Sequence, residues 1–210
     1  MIWIIRRNNR NKAGVLIRAV FIRFYIRKGK KKGAFSVKQG MIQLYTGDGK
    51  GKTSAAVGAC VRAAGHGWRI FFLQFLKSTS TGELEPLQKL GVECIRPSSC
   101  EKFVFQMNEE EKAACRKEHA SLLEAARQAA ESGAYDLVVL DEAAGAVQTG
   151  MLHEEGLLSL LKSKAPATEV ILTGQGASDK LKKVADYVSD IQNHKHPYQQ
   201  GIPAREGIEY

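Results

Sequence analysis

The chain lacks an apolar run long enough to span a bilayer, it lacks a C-x-x-C pair, and its first forty residues hold no acidic side chain. Crossing a bilayer takes about 20 consecutive apolar residues. The stretch Val15–Ile26 is interrupted by Arg18 and Arg23, so no stable membrane insertion is expected. The four cysteines, Cys60, Cys94, Cys100 and Cys115, are spaced irregularly. That spacing argues against a zinc ribbon and offers no disulfide framework, and it reads as unpaired thiols in a reducing, cytoplasmic setting. The missing acids decide how the net charge of +9 is read: residues 1–40 hold 12 Lys or Arg and no Asp or Glu. Setting them aside leaves 19 basic and 22 acidic residues, a net of −3. The basic character belongs to an appendage, and the remainder gives no support for a nucleic-acid groove. Within residues 1–40 a secretory cleavage pattern is missing and Ser36 is the only serine, against a transit peptide. They read as an extension outside the core, with a helix packed over the active site as the second reading.

From residue 41 onward short apolar runs alternate with helix-like segments, the pattern of an α/β, P-loop NTPase-like fold with a mostly parallel sheet and helices on both faces. Strands are expected at Met41–Tyr45, Ile70–Phe75, Val92–Ile95, Leu137–Leu140, Val170–Thr173 and Tyr187–Ile191. Helices are expected at Ser54–Ala64, Glu83–Leu90, Glu109–Ser132, His153–Leu161 and Ser178–Ala185. The α/β domain thus spans 41–193. The tail 194–210, with Pro197, Gly201, Pro203 and Gly207, reads as irregular and packed on or near the site.

The strongest local signal is Thr46-Gly47-Asp48-Gly49-Lys50-Gly51-Lys52-Thr53, set between a strand and a helix. A glycine-rich turn lets successive backbone N–H groups face phosphate oxygens, and the following helix aims its N-terminal dipole at the same anion. Gly47, Asp48, Gly49, Lys50, Gly51, Lys52, Thr53 and Ser54 are therefore the candidate phosphate-binding residues. Lys52 supplies a cation and Thr53 a hydroxyl for Mg²⁺. Thr46 stands where this pattern usually begins with glycine. Leu137–Leu140 runs into Asp141 and Glu142, two carboxylates suited to hold Mg²⁺ opposite the loop, directly or through water; the sequence does not choose between them. A guanine-reading Asn-Lys-x-Asp and a Leu-Ser-Gly-Gly transporter signature are both missing.

Several further stretches give a resemblance: Arg62-Ala63-Ala64-Gly65-His66-Gly67, Gln74-Phe75-Leu76-Lys77, Thr81-Gly82-Glu83, Thr173-Gly174, Ala185-Asp186, Lys195-His196-Pro197-Tyr198 and Gly207-Ile208-Glu209-Tyr210. With the phosphate loop and Leu140-Asp141-Glu142, they make residues 41–210 similar to the P-loop ATP:corrinoid adenosyltransferases, also named cob(I)yrinic acid a,c-diamide adenosyltransferases. Three departures stand out. Gln175 replaces the usual arginine of Thr-Gly-Arg-Gly, Ala143-Ala144-Gly145 replaces larger or polar residues, and Phe103-Val104-Phe105 replaces an aromatic Phe-x-Trp pair.

The resemblance implies transfer of the 5′-deoxyadenosyl group of ATP to the Co(I) of a corrinoid, with release of triphosphate, in adenosylcobalamin biosynthesis or salvage. Cobalt is the nucleophile, so the protein positions ATP, neutralises the leaving triphosphate and excludes water. It implies Lys52, Thr53 and Glu142 in catalysis, and ATP held with the loop on its terminal phosphate. Phe103 and Phe105 would meet the corrinoid, core packing being the alternative for those rings. It further implies a homodimer and a reductase or flavoprotein electron donor. A nucleotide-hydrolysing regulator and a corrinoid-binding chaperone without catalysis are the competing classes. His194 and His196, without a clustered third ligand, read as surface residues, and His66 as a cation at a helix end.

Overall fold

A computed structural model describes residues 39–78, 81–98, 100 and 102–209. The expectations for the basic extension lie outside these residues, except at its last two positions. Six strands form one parallel sheet: β1 (Ile42–Thr46), β2 (Ile70–Gln74), β3 (Glu93–Ile95), β4 (Leu137–Asp141), β5 (Glu169–Thr173) and β6 (Tyr187–Asp190), in the order β3-β2-β4-β5-β1-β6. β2 and β4 are buried at every position, the signature of strands covered on both faces. Edge strand β6 is exposed throughout.

The helices are α1 (Lys52–Gly65), α2 (Leu84–Lys89), α3 (Glu109–Glu131), α4 (Ala143–Gln148), α5 (Glu154–Ser163) and α6 (Asp179–Val184). Alternation along the strands splits the core in two. Leu44, Leu73, Leu140 and Leu172 pack against residues of α3 and α5 such as Leu122, Ala126, Leu157 and Leu160. Ile70, Phe72, Val139 and Ile171 pack on the other face against Ala56 and Cys60 of α1 and Leu87 of α2. α3 begins with a reciprocal cap: Asn108 Oδ1 accepts from Glu111 N at 2.8 Å, and Glu111 Oε2 accepts from Asn108 N at 2.9 Å. α4 is not foreseen by the sequence. It has six residues, no capping side chain, and starts straight from β4 through Glu142 in the left-handed region.

Parallel pairing aligns the strand ends that carry chemistry. β5 lies between β1 and β4, with Tyr45 opposite Thr173 and Leu140 opposite Leu172. The phosphate loop after β1 and the carboxylates after β4 thus flank Thr173 at the C-terminal edge, where open α/β sheets bind ligands.

The start of β1 gives a test of the extension. Gly40 N–H donates to Pro166 O at 2.8 Å, and Met41 N–H to Glu169 Oε2 at 2.7 Å. A chain beginning at Met41 loses the first bond and places its new α-ammonium beside Glu169. We expect it to fold and bind ATP, with a melting temperature within a few degrees of the full chain. Insoluble protein would instead show that residues 1–40 cover part of the core.

Candidate active site

The phosphate loop owes its glycines to two physical demands. A Cβ on Gly49 would come within 2.7 Å of the Gln192 backbone, because the chain leaving β6 runs directly against the loop. Gly51 has φ +120°, closed to L side chains, although a Cβ there would meet no neighbour. The chain leaving β6 is itself anchored to the loop: Gly49 N–H donates to Ile191 O at 2.7 Å, and Asn193 N–H to Asp48 Oδ1 at 2.9 Å. Lys52, buried at the start of α1, donates to Gly47 O at 2.8 Å and Gly49 O at 2.7 Å. Burial pushes its ammonium pKa down, and the carboxylates of Glu142, Asp48 and Asp141 oppose that push. Lys50 turns outward and donates to Ile208 O and Glu209 Oε1, both at 3.1 Å, which ties the C-terminal tail to the loop.

Opposite the loop, Asp141 is fully buried at the end of β4. Its Oδ1 accepts from Thr53 Oγ1 at 2.9 Å and Thr173 Oγ1 at 2.6 Å. Its Oδ2 accepts from Gln74 Nε2 at 3.2 Å and Lys77 Nζ at 3.0 Å. Glu142 takes a different environment. Its backbone is left-handed at φ 58°, its N–H donates to Thr173 Oγ1 at 2.9 Å, and it lines the open cavity. Burial pushes its carboxyl pKa up, and the charge of Asp141 adds to that push. That cavity holds about 580 Å³, between the loop residues Asp48–Ser54 and Lys77, Glu142, Gln175, His196 and Glu209.

The structure therefore brings the phosphate loop, Thr53 and Glu142 to one cavity, with Asp141 buried directly behind Thr53. Phe103 and Phe105 lie elsewhere, on the segment before α3, around a second cavity of about 500 Å³ that includes Leu76, Met107 and Met151. Their rings stack, with centroids 5.5 Å apart, and are 71% and 83% exposed. Core packing of these rings is thereby excluded. His196 lines the phosphate cavity and its Nδ1 accepts from Tyr198 N at 3.1 Å, whereas His194 is exposed. His66 caps the C-terminus of α1.

The description that decides the family comes from comparison. The model of the family ATP:corrinoid adenosyltransferase BtuR/CobO/CobP matches residues 38–210. The chain belongs to that family. It is 36% identical over 176 residues to the corrinoid adenosyltransferase of Escherichia coli (strain K12), covering 82% of this chain and 87% of the relative. It is 34% identical over 174 residues to the corrinoid adenosyltransferase CobA of Salmonella typhimurium, with the same coverage. To the corrinoid adenosyltransferase of Pseudomonas aeruginosa it is 30% identical over 174 residues, covering 82% and 85%. The expected fold class and transferase assignment stand with this membership.

One feature of this family member escaped the sequence reading. Cys100 and Cys115 form a disulfide, which corrects the expectation of unpaired thiols for that pair; Cys60 and Cys94 are free. Burial raises the Cys60 thiol to about 12 and the Cys94 thiol to about 11. The bridge ties the segment bearing Phe103 and Phe105 to α3. Beside it His119, fully buried, accepts from Leu76 N–H through Nε2 at 3.1 Å, leaving the Nδ1 proton for Cys115 O at 2.9 Å. The two sulfurs and His119 fall within the spacing a metal accepts. With the sulfurs bonded to each other and both ring nitrogens engaged, they do not form a ligand set here. The available sequence signal was Cys115 and His119 at i and i+4, on one face of α3.

Burial pushes the pKa of His119 below its usual value, and the Cys115 carbonyl only partly opposes this. The unfolded chain therefore binds a proton that the folded chain resists. Stability from the neutral ring is complete above about pH 6.5 and is lost as pH falls through the depressed folded value. We expect the melting temperature to fall between about pH 6.5 and 5, and the fall to be shallower in His119→Gln. Parallel pH profiles for the two proteins would refute this role.

Proposed function

We propose that this chain transfers the 5′-deoxyadenosyl group of ATP to Co(I) of a corrinoid, with the triphosphate seated in the cavity over Asp48–Ser54. The observation that carries the reading is the convergence of Lys52, Thr53 and Glu142 on one cavity, with Asp141 bonded to Thr53 behind its wall, in a chain of this family. The donors fit Mg²⁺, which prefers hard oxygen ligands: a hydroxyl and two carboxylates, with the buried Gln74 Oε1 nearby and unpartnered among the described residues. Thr53, Asp141 and Glu142 would hold the ion, and when bound it neutralises charge on the leaving triphosphate.

The chain's own groups do the rest. Co(I) attacks C5′, the cobalt–carbon bond forms, and the C5′–oxygen bond breaks with its electron pair leaving on the triphosphate. Lys52 and the loop N–H groups receive that developing charge. A loop bound to the terminal phosphate leaves the ribose free to face the corrinoid. Phe103 and Phe105 supply an exposed apolar pair for the lower corrinoid face. A homodimer, a flavoprotein or other reductase as electron donor, and a cytoplasmic location complete the reading. None of the helices among the described residues is long and apolar enough to cross a membrane.

The test is to mix the protein, MgATP and pre-reduced cob(I)alamin and identify both products. Adenosylated corrinoid with triphosphate supports the reading. Nucleoside diphosphate with phosphate would instead support the hydrolysing regulator, and corrinoid binding without turnover the chaperone.

A further inference from the structure

One cation already sits between the two oxygens of the proposed metal position. Lys77 Nζ lies 3.0 Å from Asp141 Oδ2 and 3.1 Å from Thr53 Oγ1. Thr53 Oγ1 spends its proton on Asp141 Oδ1 at 2.9 Å. Of the two lone pairs left on the Thr53 oxygen, Lys77 occupies one, so a metal approaching Thr53 and Asp141 meets the ammonium beside it. The same Asp141 Oδ2 accepts from Gln74 Nε2, and the other end of that amide, Oε1, is buried and unpartnered among the described residues. An orphan acceptor beside a carboxylate is what the waters of a hydrated cation would satisfy, and Lys77 makes no hydrogen bond to it. Burial disfavours charge on Lys77, but Asp141, with Glu142 and Glu83 behind it, outweighs burial and holds it protonated.

The backbone brings Lys77 to this place at a cost. Leu76, directly before it, has φ 60°, uncommon for a bulky residue. That turn is fixed by Leu76 N–H donating to the buried His119. A strained, pinned residue next to a long flexible lysine gives a fixed pivot and a movable charge.

We infer that Lys77 is the resident counter-ion of the metal position, competing with Mg²⁺ for Thr53 and Asp141 until a triphosphate gives the displaced ammonium a new partner. The inference rests on the reading of Thr53 and Asp141 as metal-binding. Metal without nucleotide must expel the ammonium from its contacts with Asp141 and Thr53, so it binds weakly. Triphosphate in the same cavity supplies that partner, and its binding and that of the metal become coupled through Lys77. Lys77 is thus a positioning residue for the proposed reaction.

The experiment compares the full-length wild type with Lys77→Met, Lys77→Gln and Lys77→Arg. Mn²⁺ alone is titrated by electron paramagnetic resonance, and melting is followed in EDTA and in Mg²⁺ alone. Lys77→Met should bind Mn²⁺ at least tenfold more tightly than wild type and melt several degrees lower in EDTA. Mg²⁺ alone should recover that loss, while barely moving the wild type. Lys77→Arg should behave as wild type, and Lys77→Gln should follow the methionine variant if that one fails to fold. Mn²⁺ affinity in the neutral variants equal to or weaker than wild type overturns the inference and leaves Lys77 a fixed ion pair. Adding Thr53→Val to Lys77→Gln should abolish the gained affinity. Tight Mn²⁺ binding that survives Thr53→Val would sink the metal reading itself.

Discussion

Lys52→Ala is expected to weaken ATP binding by roughly 30- to 150-fold, the equivalent of about 2–3 kcal/mol for a lost charge-assisted contact in a partly desolvated site. The ammonium is buried and spans the loop from Gly47 O to Gly49 O, so it lies where phosphate oxygens would replace those two carbonyls. Adenosyl transfer should fall at least as far, since triphosphate carries more charge as it leaves than when bound in ATP. Lys50→Ala should cost much less, because Lys50 is tied to the exposed tail through Ile208 and Glu209. Isothermal titration with MgATP, alongside melting curves, separates binding from loop stability. Wild-type ATP affinity and transfer rate in Lys52→Ala would refute the phosphate-loop assignment.

The second large effect is expected at Phe103 and Phe105. Co(II) corrinoids resist reduction while an axial ligand holds cobalt from below. An apolar wedge that displaces the ligand, excludes water and donates nothing raises the potential toward that of a cellular reductant. The double variant Phe103→Ala/Phe105→Ala should lose nearly all transfer from Co(II) with a mild flavin reductant. It should keep most of its transfer when chemically reduced Co(I) is supplied. Because both rings are exposed, melting should barely change, within the ±0.5 kcal/mol or so typical of surface substitutions. Equal loss in both assays would show that the pair is not a wedge.

The environments of the departures from the family pattern follow from packing. Gly174 has φ +137°, and a Cβ there would press on the backbone of Ala144 and Gly145. A Cβ on Gly145 would in turn approach Glu142 Oε2 at 2.8 Å. Small residues after Glu142 let β5 and α4 close together and leave its carboxylate at the cavity wall. Gln175 also lines that wall, without the charge of the usual arginine.

By itself the sequence determined the alternation of strands and helices, because apolar runs and helical periodicity are local signals set by burial on each side of a sheet. It also determined the phosphate loop, whose glycines, lysine and threonine must be contiguous to wrap one anion, and the carboxylate pair at the end of β4. Only the tertiary structure decided what depends on residues far apart in the chain. It separated Asp141, fully buried under four donors, from Glu142, which lines the cavity, a difference produced by the left-handed turn at Glu142 and by Thr173 arriving on β5. It exposed Phe103 and Phe105, which hydrophobicity alone would send to the core, while Val104 between them packs against the buried cluster of Cys100, Met107, Cys115 and Met151. It joined Cys100, on the segment after β3, to Cys115 on α3. It also carried Lys77 across from the end of β2 to Asp141, a contact that exists because parallel strands bring their C-terminal ends to one edge.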